Sequence, residues 1–312
     1  MRRKHTFRPS AVQHIYQRSL DKGVIFYSTS DRLVYYTISS VKAKKWHVRV
    51  SAAAIMYTHL HQSAEAESLV ELRGYLHDVG TSFSKQYNAR YGRVGRRFAR
   101  RPGRSQKVSL KEKRSNLIYV YNNHVEKGLC RRAVEERWSL LAYAFSDHPF
   151  SPPIQQRSMS RALARATKLV VRRAAAGKPL DYGDLDAISS RLDAVEWQQF
   201  IDFVIVKYAL VDYGRAESYF GTMENLLVAV DSTTGGEYDI AEDYSRDADT
   251  GYRNLARAAQ DGGYLSHIFS MSEERRNEVV RDVVHLSLAS PHQVRKFFHL
   301  GKDGTAEDCF FA

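Results

Sequence analysis

Two hydrophobic periods divide this chain, and the switch between them limits the folds open to it. Up to about residue 150, short apolar runs alternate with segments of helical spacing; beyond Ser151-Pro152-Pro153, apolar residues recur three and four apart almost throughout. Strands are expected over 12–18 and 23–28, joined by Asp21-Lys22-Gly23. Ser28-Thr29-Ser30-Asp31 offers a helix N-cap, followed by Leu33, Tyr36, Thr37 and Val41 at helical spacing and by Lys42, Lys44 and Lys45 beside the C-terminal dipole. A strand over 47–56, a short segment over 57–64 and a helix from near Glu65 carrying Leu69, Leu72, Leu76 and Val79 come next. The order strand, strand, helix, strand, strand, helix predicts an α+β sandwich with helices over an antiparallel sheet. A further helix over 110–129 uses Leu117, Val120, Tyr121 and Val125. Past the two prolines, helices are expected over 161–176, 185–192, 195–208 and 219–230, with a polar loop at 231–250. The boundary between residues 1–150 and an all-α unit at 151–312 is placed at Pro152-Pro153.

Charge divides the chain at the same place. Residues 1–150 hold 28 Lys+Arg against 11 Asp+Glu, net +17, whereas the remaining residues hold 19 against 24, net −5. A unit this basic repels itself unless a polyanion neutralises it, and nucleic acid is the first candidate. The density peaks at 88–107, where Arg90, Arg93, Arg96, Arg97, Arg100, Arg101 and Arg104 stand among Gly92, Gly95, Pro102 and Gly103. Neither the helix nor the strand period fits there, so a basic loop contacting phosphates is expected. Lys44 and Lys45 join it as expected nucleic-acid contacts. Cys130 and Cys309 are the only cysteines, which excludes a disulfide framework and a cysteine zinc site. No apolar run of membrane-spanning length and no apolar signal core behind the basic start occur, so a cytoplasmic, nucleoid-associated protein without a membrane role is expected.

Among twelve histidines, His59-Leu60-His61 stands out by geometry. On a strand, residues i and i+2 face the same side, so the two imidazoles lie side by side and can share a metal ion while Leu60 turns to the core.

Three separated stretches give this pair its context. They are Ile55-Met56-Tyr57-Thr58-His59-Leu60-His61, then Ile118-Tyr119-Val120-Tyr121-Asn122-Asn123-His124-Val125-Glu126-Lys127-Gly128-Leu129, then Arg137-Trp138-Ser139-Leu140-Leu141-Ala142-Tyr143, with His14-Ile15-Tyr16-Gln17-Arg18 as a fitting opening. Over roughly residues 10–150 the chain resembles the HUH transposases with one catalytic tyrosine, close to the REP-associated tyrosine transposases. The resemblance implies a ferredoxin-like HUH domain. It also implies His59, His61 and Asn123 as ligands of Mg²⁺ or Mn²⁺, and Tyr119 as the nucleophile. His124 stands where the family usually has proline, and Thr58 where it usually has an acidic or polar residue. Positions 119 and 123 share a helix face, so both can address one metal. A phenol with a pKa of about 10 is a poor nucleophile at neutral pH, which is why a cation must polarise the scissile phosphate.

Near the C-terminus, an amphipathic helix over 272–288, the turn Ala289-Ser290-Pro291 and a short basic helix over 292–300 read as a helix-turn-helix within 272–300. Gln293, Arg295 and Lys296 are its expected base- or phosphate-contacting residues; a plain helical hairpin is the alternative. The expectation is therefore a metal-dependent transesterase acting on single-stranded DNA with hairpin structure, as a transposase does, with a homodimer as a compatible assembly. The alternative is a domesticated, non-catalytic nucleic-acid-binding regulator. A hydrolase using the histidines for water activation would want further His and Asp ligands at clear motifs, and none is found.

Overall fold

The computed structural model describes residues 6–9, 11–20, 22–99, 102–232 and 249–300. Strand β1 (Val12–Arg18) leads to helix α1 (Thr29–Lys45), the antiparallel strands β2 (Arg49–Ile55) and β3 (His59–Glu65), helix α2 (Leu69–Tyr91), strand β4 (Gly103–Lys107) and helix α3 (Leu110–Glu126). The fold is α+β: one four-stranded sheet, antiparallel throughout, ordered β2-β3-β1-β4. Ser28 with Asp31, Ser68 with Glu71 and Ser109 with Glu112 form capping boxes that start the three helices. Gly92, with φ 60°, stops α2 in the left-handed region that a Cβ disfavours.

The pleat sorts side chains to two faces. Ile15, Ala53, Ile55, Leu60 and Ala64 pack with Val34, Ile38, Leu72, Tyr75 and Val79 beneath α1 and α2. Val12, Ala52 and Ala54 pack with Leu117, Val120 and Tyr121 of α3 on the other side.

Several expectations change. Residues 23–28 are not a strand: Val24–Tyr27 are buried as coil, with the amides of Ile25 and Phe26 donating to Tyr57 O. The segment after Asp21 folds inward through its apolar side chains without finding a sheet edge. Residues 57–64 belong largely to β3, a full central strand that includes Glu65, so the helix expected from near Glu65 begins only at Leu69, behind its Ser68 cap. Residues 88–107 divide between the end of α2 and β4, which pairs with β1 from Val12↔Lys107 to Tyr16↔Gly103. An edge strand buries one face only, so β4 needs no apolar alternation to form. Arg100 and Arg101 lie outside the described residues.

Beyond residue 150 come α4 (Arg161–Ala175), α5 (Tyr182–Ser189), α6 (Ala194–Tyr208), α7 (Tyr213–Phe220), α8 (Met223–Asp231), α9 (Thr250–Asp261), α10 (Glu273–Ser287) and α11 (Pro291–Phe298). The helix expected over 219–230 is two, broken at Gly221 (φ 87°) and capped anew by Thr222. The polar loop expected at 231–250 lies mostly outside the described residues. These helices pack against the sheet layer. Tyr36 Oη donates to Ile205 O at 2.8 Å, Asn122 Nδ2 to Val230 O at 2.9 Å, and Tyr143 Oη to Asp202 Oδ1 at 2.6 Å. Among the described residues, no helix is long and apolar enough to cross a membrane.

Candidate nucleophile and metal site

The α3 face of the sheet is polar at its centre. His14 and Tyr16 of β1 alternate on the same side as His59, His61 and Ser63 of β3, and the register sets Tyr16 opposite His61. The imidazoles of His59 and His61 lie 5.1 Å apart between ring centres at 85°. Tyr119, from α3, brings its ring to 5.4 Å from both His61 and His14. The pair expected from spacing and the tyrosine expected from resemblance therefore meet.

Asn123 lies one turn further along α3. Its Nδ2 donates to Tyr119 O at 2.9 Å and to Val120 O at 3.4 Å. With the nitrogen spent on the helix, the amide oxygen is the atom left for the cavity that Asn123 lines with His59 and Tyr119. The cavity holds about 340 Å³.

Burial keeps the histidines neutral. It lowers the pKa of His59 to about 3, helped by the charges of Lys127, His124 and Lys296, and holds His61 well below the ordinary histidine range. His14 is lowered to about 4 by burial, against the opposing pull of its hydrogen bond to Asn116. A neutral imidazole keeps a lone pair, which metal ligation requires.

Which nitrogen of His61 carries that lone pair follows from the groups behind it. Asn116 Nδ2 donates to Ser63 Oγ, so Asn116 Oδ1 is the acceptor facing His14 Nδ1 at 2.6 Å. His14 thus bears its proton on Nδ1 and accepts at Nε2, 3.3 Å from His61 Nδ1. His61 donates there, and its lone pair sits on Nε2. Outer hydrogen bonds of this kind fix the tautomer of a ligating histidine. His59 Nδ1 has its own partner in Thr58 Oγ1 at 2.9 Å.

Two imidazole nitrogens and one amide oxygen suit a borderline divalent cation such as Mn²⁺ and can serve Mg²⁺, which favours oxygen. Among the described residues, no three His, Cys, Asp or Glu side chains are arranged to hold a metal ion, so the donor set rests on the amide.

The expected nucleic-acid contacts separate into several places. Arg96 and Arg104 line a cleft of about 1020 Å³ with Arg73, His77 and Lys85. This cleft opens on the α2 side of the sheet, away from Tyr119, since Arg104 pairs with Ile15. Arg93 stacks on Phe269, 4.7 Å from the ring centre, and Arg97 is held by Val94 O at 2.6 Å. Lys44 Nζ donates to Tyr208 O at 3.3 Å, and Lys45 pairs with Asp78 at 2.7 Å.

In the helix pair α10–α11, Gln293 is buried and its Oε1 accepts from Ser290 N at 3.0 Å, which commits it to capping rather than to base reading. Arg295 is half-buried on the same helix. Lys296 lines the Tyr119 cavity. Sequence reasoning assigned no role to His14, Asn116, Lys127 or Asp249, although the i, i+2, i+4 series His14, Tyr16, Arg18 marks a polar face of β1 as His59 and His61 mark that of β3. Compared with protein-family models, with curated proteins and with solved structures, the chain matches none of them.

Proposed function

We propose that this protein is a single-strand DNA transesterase of the HUH transposase type, with residues 1–150 as a ferredoxin-like catalytic domain and residues 151–312 as an all-α companion. The observation that carries this reading is the meeting of His59, Asn123 and Tyr119 at one cavity, with the ring of His61 packed behind them against both His59 and Tyr119, from two elements far apart in sequence. The strand order 2-3-1-4 with both crossovers on one face supports the domain reading.

Tyr119 Oη attacks a phosphodiester. The Oη–P bond forms, the P–O3′ bond breaks, the phenol proton leaves, and the departing 3′-oxygen takes up a proton. A 5′-phosphotyrosine and a 3′-hydroxyl result, and attack by another 3′-hydroxyl reverses the step without an external energy source. His59, His61 and the Asn123 amide oxygen would hold Mg²⁺ or Mn²⁺, whose role is to polarise the phosphate and stabilise the charge that develops on it. His14 and Asn116 hold His61 in the ligating tautomer, and α3 holds Tyr119 against both rings.

A hairpin oligonucleotide with a single-stranded flank and a 3′ label tests this. Incubated with Mn²⁺, it should yield a labelled protein–DNA band that survives denaturation and disappears in EDTA. Absence of that band from the wild-type protein sinks the proposal. It would favour a non-catalytic nucleic-acid-binding protein, a reading supported by the Arg73–Arg104 cleft, which does not involve Tyr119.

A further inference from the structure

The cavity beside Tyr119 has two walls of different origin. The sheet and α3 supply Tyr16, Arg18, Thr58, His59, Tyr119, Asn123, Glu126 and Lys127; the far end of the chain supplies Asp249, Tyr252, His292 and Lys296.

The second wall is fixed in place. Tyr27 Oη donates to Phe297 O at 2.8 Å and lies 2.8 Å from His299 Nε2, while Val294, Phe297 and Phe298 are buried beneath α11. The start of α9 is tied down as well: Asp249 N donates to Lys127 O at 3.0 Å, and Arg253 reaches Leu129 O at 2.8 Å and Glu136 at 2.9 Å. Cations and an acceptor then meet within this small space. Lys127 and Lys296 line the same cavity as His59 and Tyr119, one from each wall. Asp249 is 4 % exposed, and its Oδ2 has no hydrogen-bond partner among the described residues. Nor does its side chain cap α9. A buried carboxylate oxygen without a donor is unfavourable unless a ligand brings one.

We infer that the wall formed by α9 and α11 is part of the catalytic site and clamps the nucleotide at the cleavage point, Lys296 contacting its phosphate and Asp249 accepting from a hydrogen-bond donor on its base or sugar. A nucleotide presents both kinds of group, anionic oxygens and N–H or O–H donors, and the rings of Tyr16 and Tyr252 offer flat surfaces for a base. On this view α11 serves single-strand chemistry in place of reading a duplex groove: its buried face holds it to the sheet layer, and Lys296 lines the same cavity as Tyr119. The inference rests on the transesterase reading for the identity of that nucleophile but not for the binding itself.

The test uses the full chain and the same 3′-labelled hairpin oligonucleotide. Lys296→Met keeps the aliphatic stem and removes the charge; it should slow adduct formation about tenfold or more and flatten the salt dependence of single-strand binding by about 0.7 in log–log slope. Lys296→Arg should restore most of both. Asp249→Asn removes the buried charge and keeps the shape of the side chain, whose Oδ2 accepts no hydrogen bond among the described residues; it should weaken binding severalfold while the melting temperature stays level or rises. A purely structural role would lower the melting temperature instead and overturn the clamp. If the wild type forms no adduct, the transesterase reading fails alone, and the binding measurements still decide the inference. Unchanged single-strand affinity and salt slope in both Lys296→Met and Asp249→Asn would overturn it, as would a Lys296→Met variant that loses only duplex binding.

Discussion

Beneath α1 and α2 the sheet presents Ile15, Ala53, Ile55, Leu60 and Ala64, whereas beneath α3 the same strands present His14, Tyr16, His59, His61 and Ser63. Both faces are buried. The first holds the fold together by removing apolar surface from water, which needs no particular partner. On the second, buried imidazoles and hydroxyls call for hydrogen bonds, and the chain from Ser63 through Asn116 and His14 supplies one to Nδ1 of His61. A leucine in those places would be simpler to bury. Two faces of one sheet thus separate stability from chemistry, and substitutions on each should fail in opposite ways.

The largest effect should come from Tyr119→Phe. Loss of one hydroxyl should abolish the covalent DNA adduct while the melting temperature and single-strand affinity stay close to wild type. Leu60→Ala, on the opposite face, should cost about 2–5 kcal/mol of stability and reduce activity only through the folded fraction. Denaturing gels and urea melts read the two. Adduct formation that survives Tyr119→Phe but is lost in Tyr121→Phe would move the nucleophile by two residues. That outcome is disfavoured by Tyr121 Oη, which donates to Ser51 O at 3.0 Å.

Acid should act chiefly on the polar face. Burial depresses His14 and His124 to about 4 and His59 to about 3, and holds His61 well below the ordinary range. In the unfolded chain each titrates near 6.5. A depressed pKa contributes stability that is complete above the unfolded value and is lost as pH falls towards the folded one. Four such groups together should steepen the fall to on the order of 5 kcal/mol per pH unit near pH 5. Urea midpoints should therefore hold from pH 8 to 7 and drop sharply between 6 and 5. A flat profile over that interval would mean that the histidines are solvated.

How much of this could be read from the chain follows the same division. The apolar face was legible, because β1, β2 and the helices announce themselves by period, and α1 also by its Ser28–Asp31 cap; the boxes that start α2 and α3 went unread. His59 and His61 were legible by alternation; Tyr119 and Asn123 came from the resemblance, the helical repeat only setting the two on one face. β4 was not: Gly-Arg-Ser-Gln-Lys has no apolar alternation, and its pairing with β1 comes from the edge that β1 leaves open. Nor was the part played by Asn116, 102 residues from the His14 it orients. Asp249 and Lys296 reach the cavity only through packing of α9 and α11 on the sheet layer, which no local spacing encodes.

Asn116→Leu sharpens the comparison by making one buried polar position apolar. Without the Oδ1 acceptor, His14 is free to shift its proton to Nε2, and His61 then loses the Nδ1 arrangement that leaves Nε2 for a metal. Mn²⁺ affinity, followed by electron paramagnetic resonance of the free ion, should fall about 10–100-fold. Asn116→Asp, which keeps the acceptor, should retain binding. Nitrogen-15 spectra of the metal-free protein should show His61 protonated on Nδ1 in the wild type; protonation on Nε2 would break the relay.

The smallest effect tests whether the α2 face carries DNA without carrying chemistry. The cleft there gathers Arg73, His77, Lys85, Arg96 and Arg104, and among the described residues no Asp or Glu lines it. Arg104 Nη1 donates to Gln13 Oε1 at 2.7 Å, and burial together with the charge of Arg73 holds its guanidinium below the ordinary arginine range. Cations that crowd one another in this way are relieved by an anion, and a phosphate chain supplies a series of them. Each neutralised phosphate contributes about 0.7 to the log–log salt slope for single strands, so Arg73→Gln with Arg104→Gln should flatten that slope by about 1.4. At saturating DNA the rate of adduct formation should stay within about twofold, because Tyr119 lies across the sheet. A slope left unchanged would take the strand off this face. A slope that flattens together with a lost rate would mean that the two faces act as one continuous binding path.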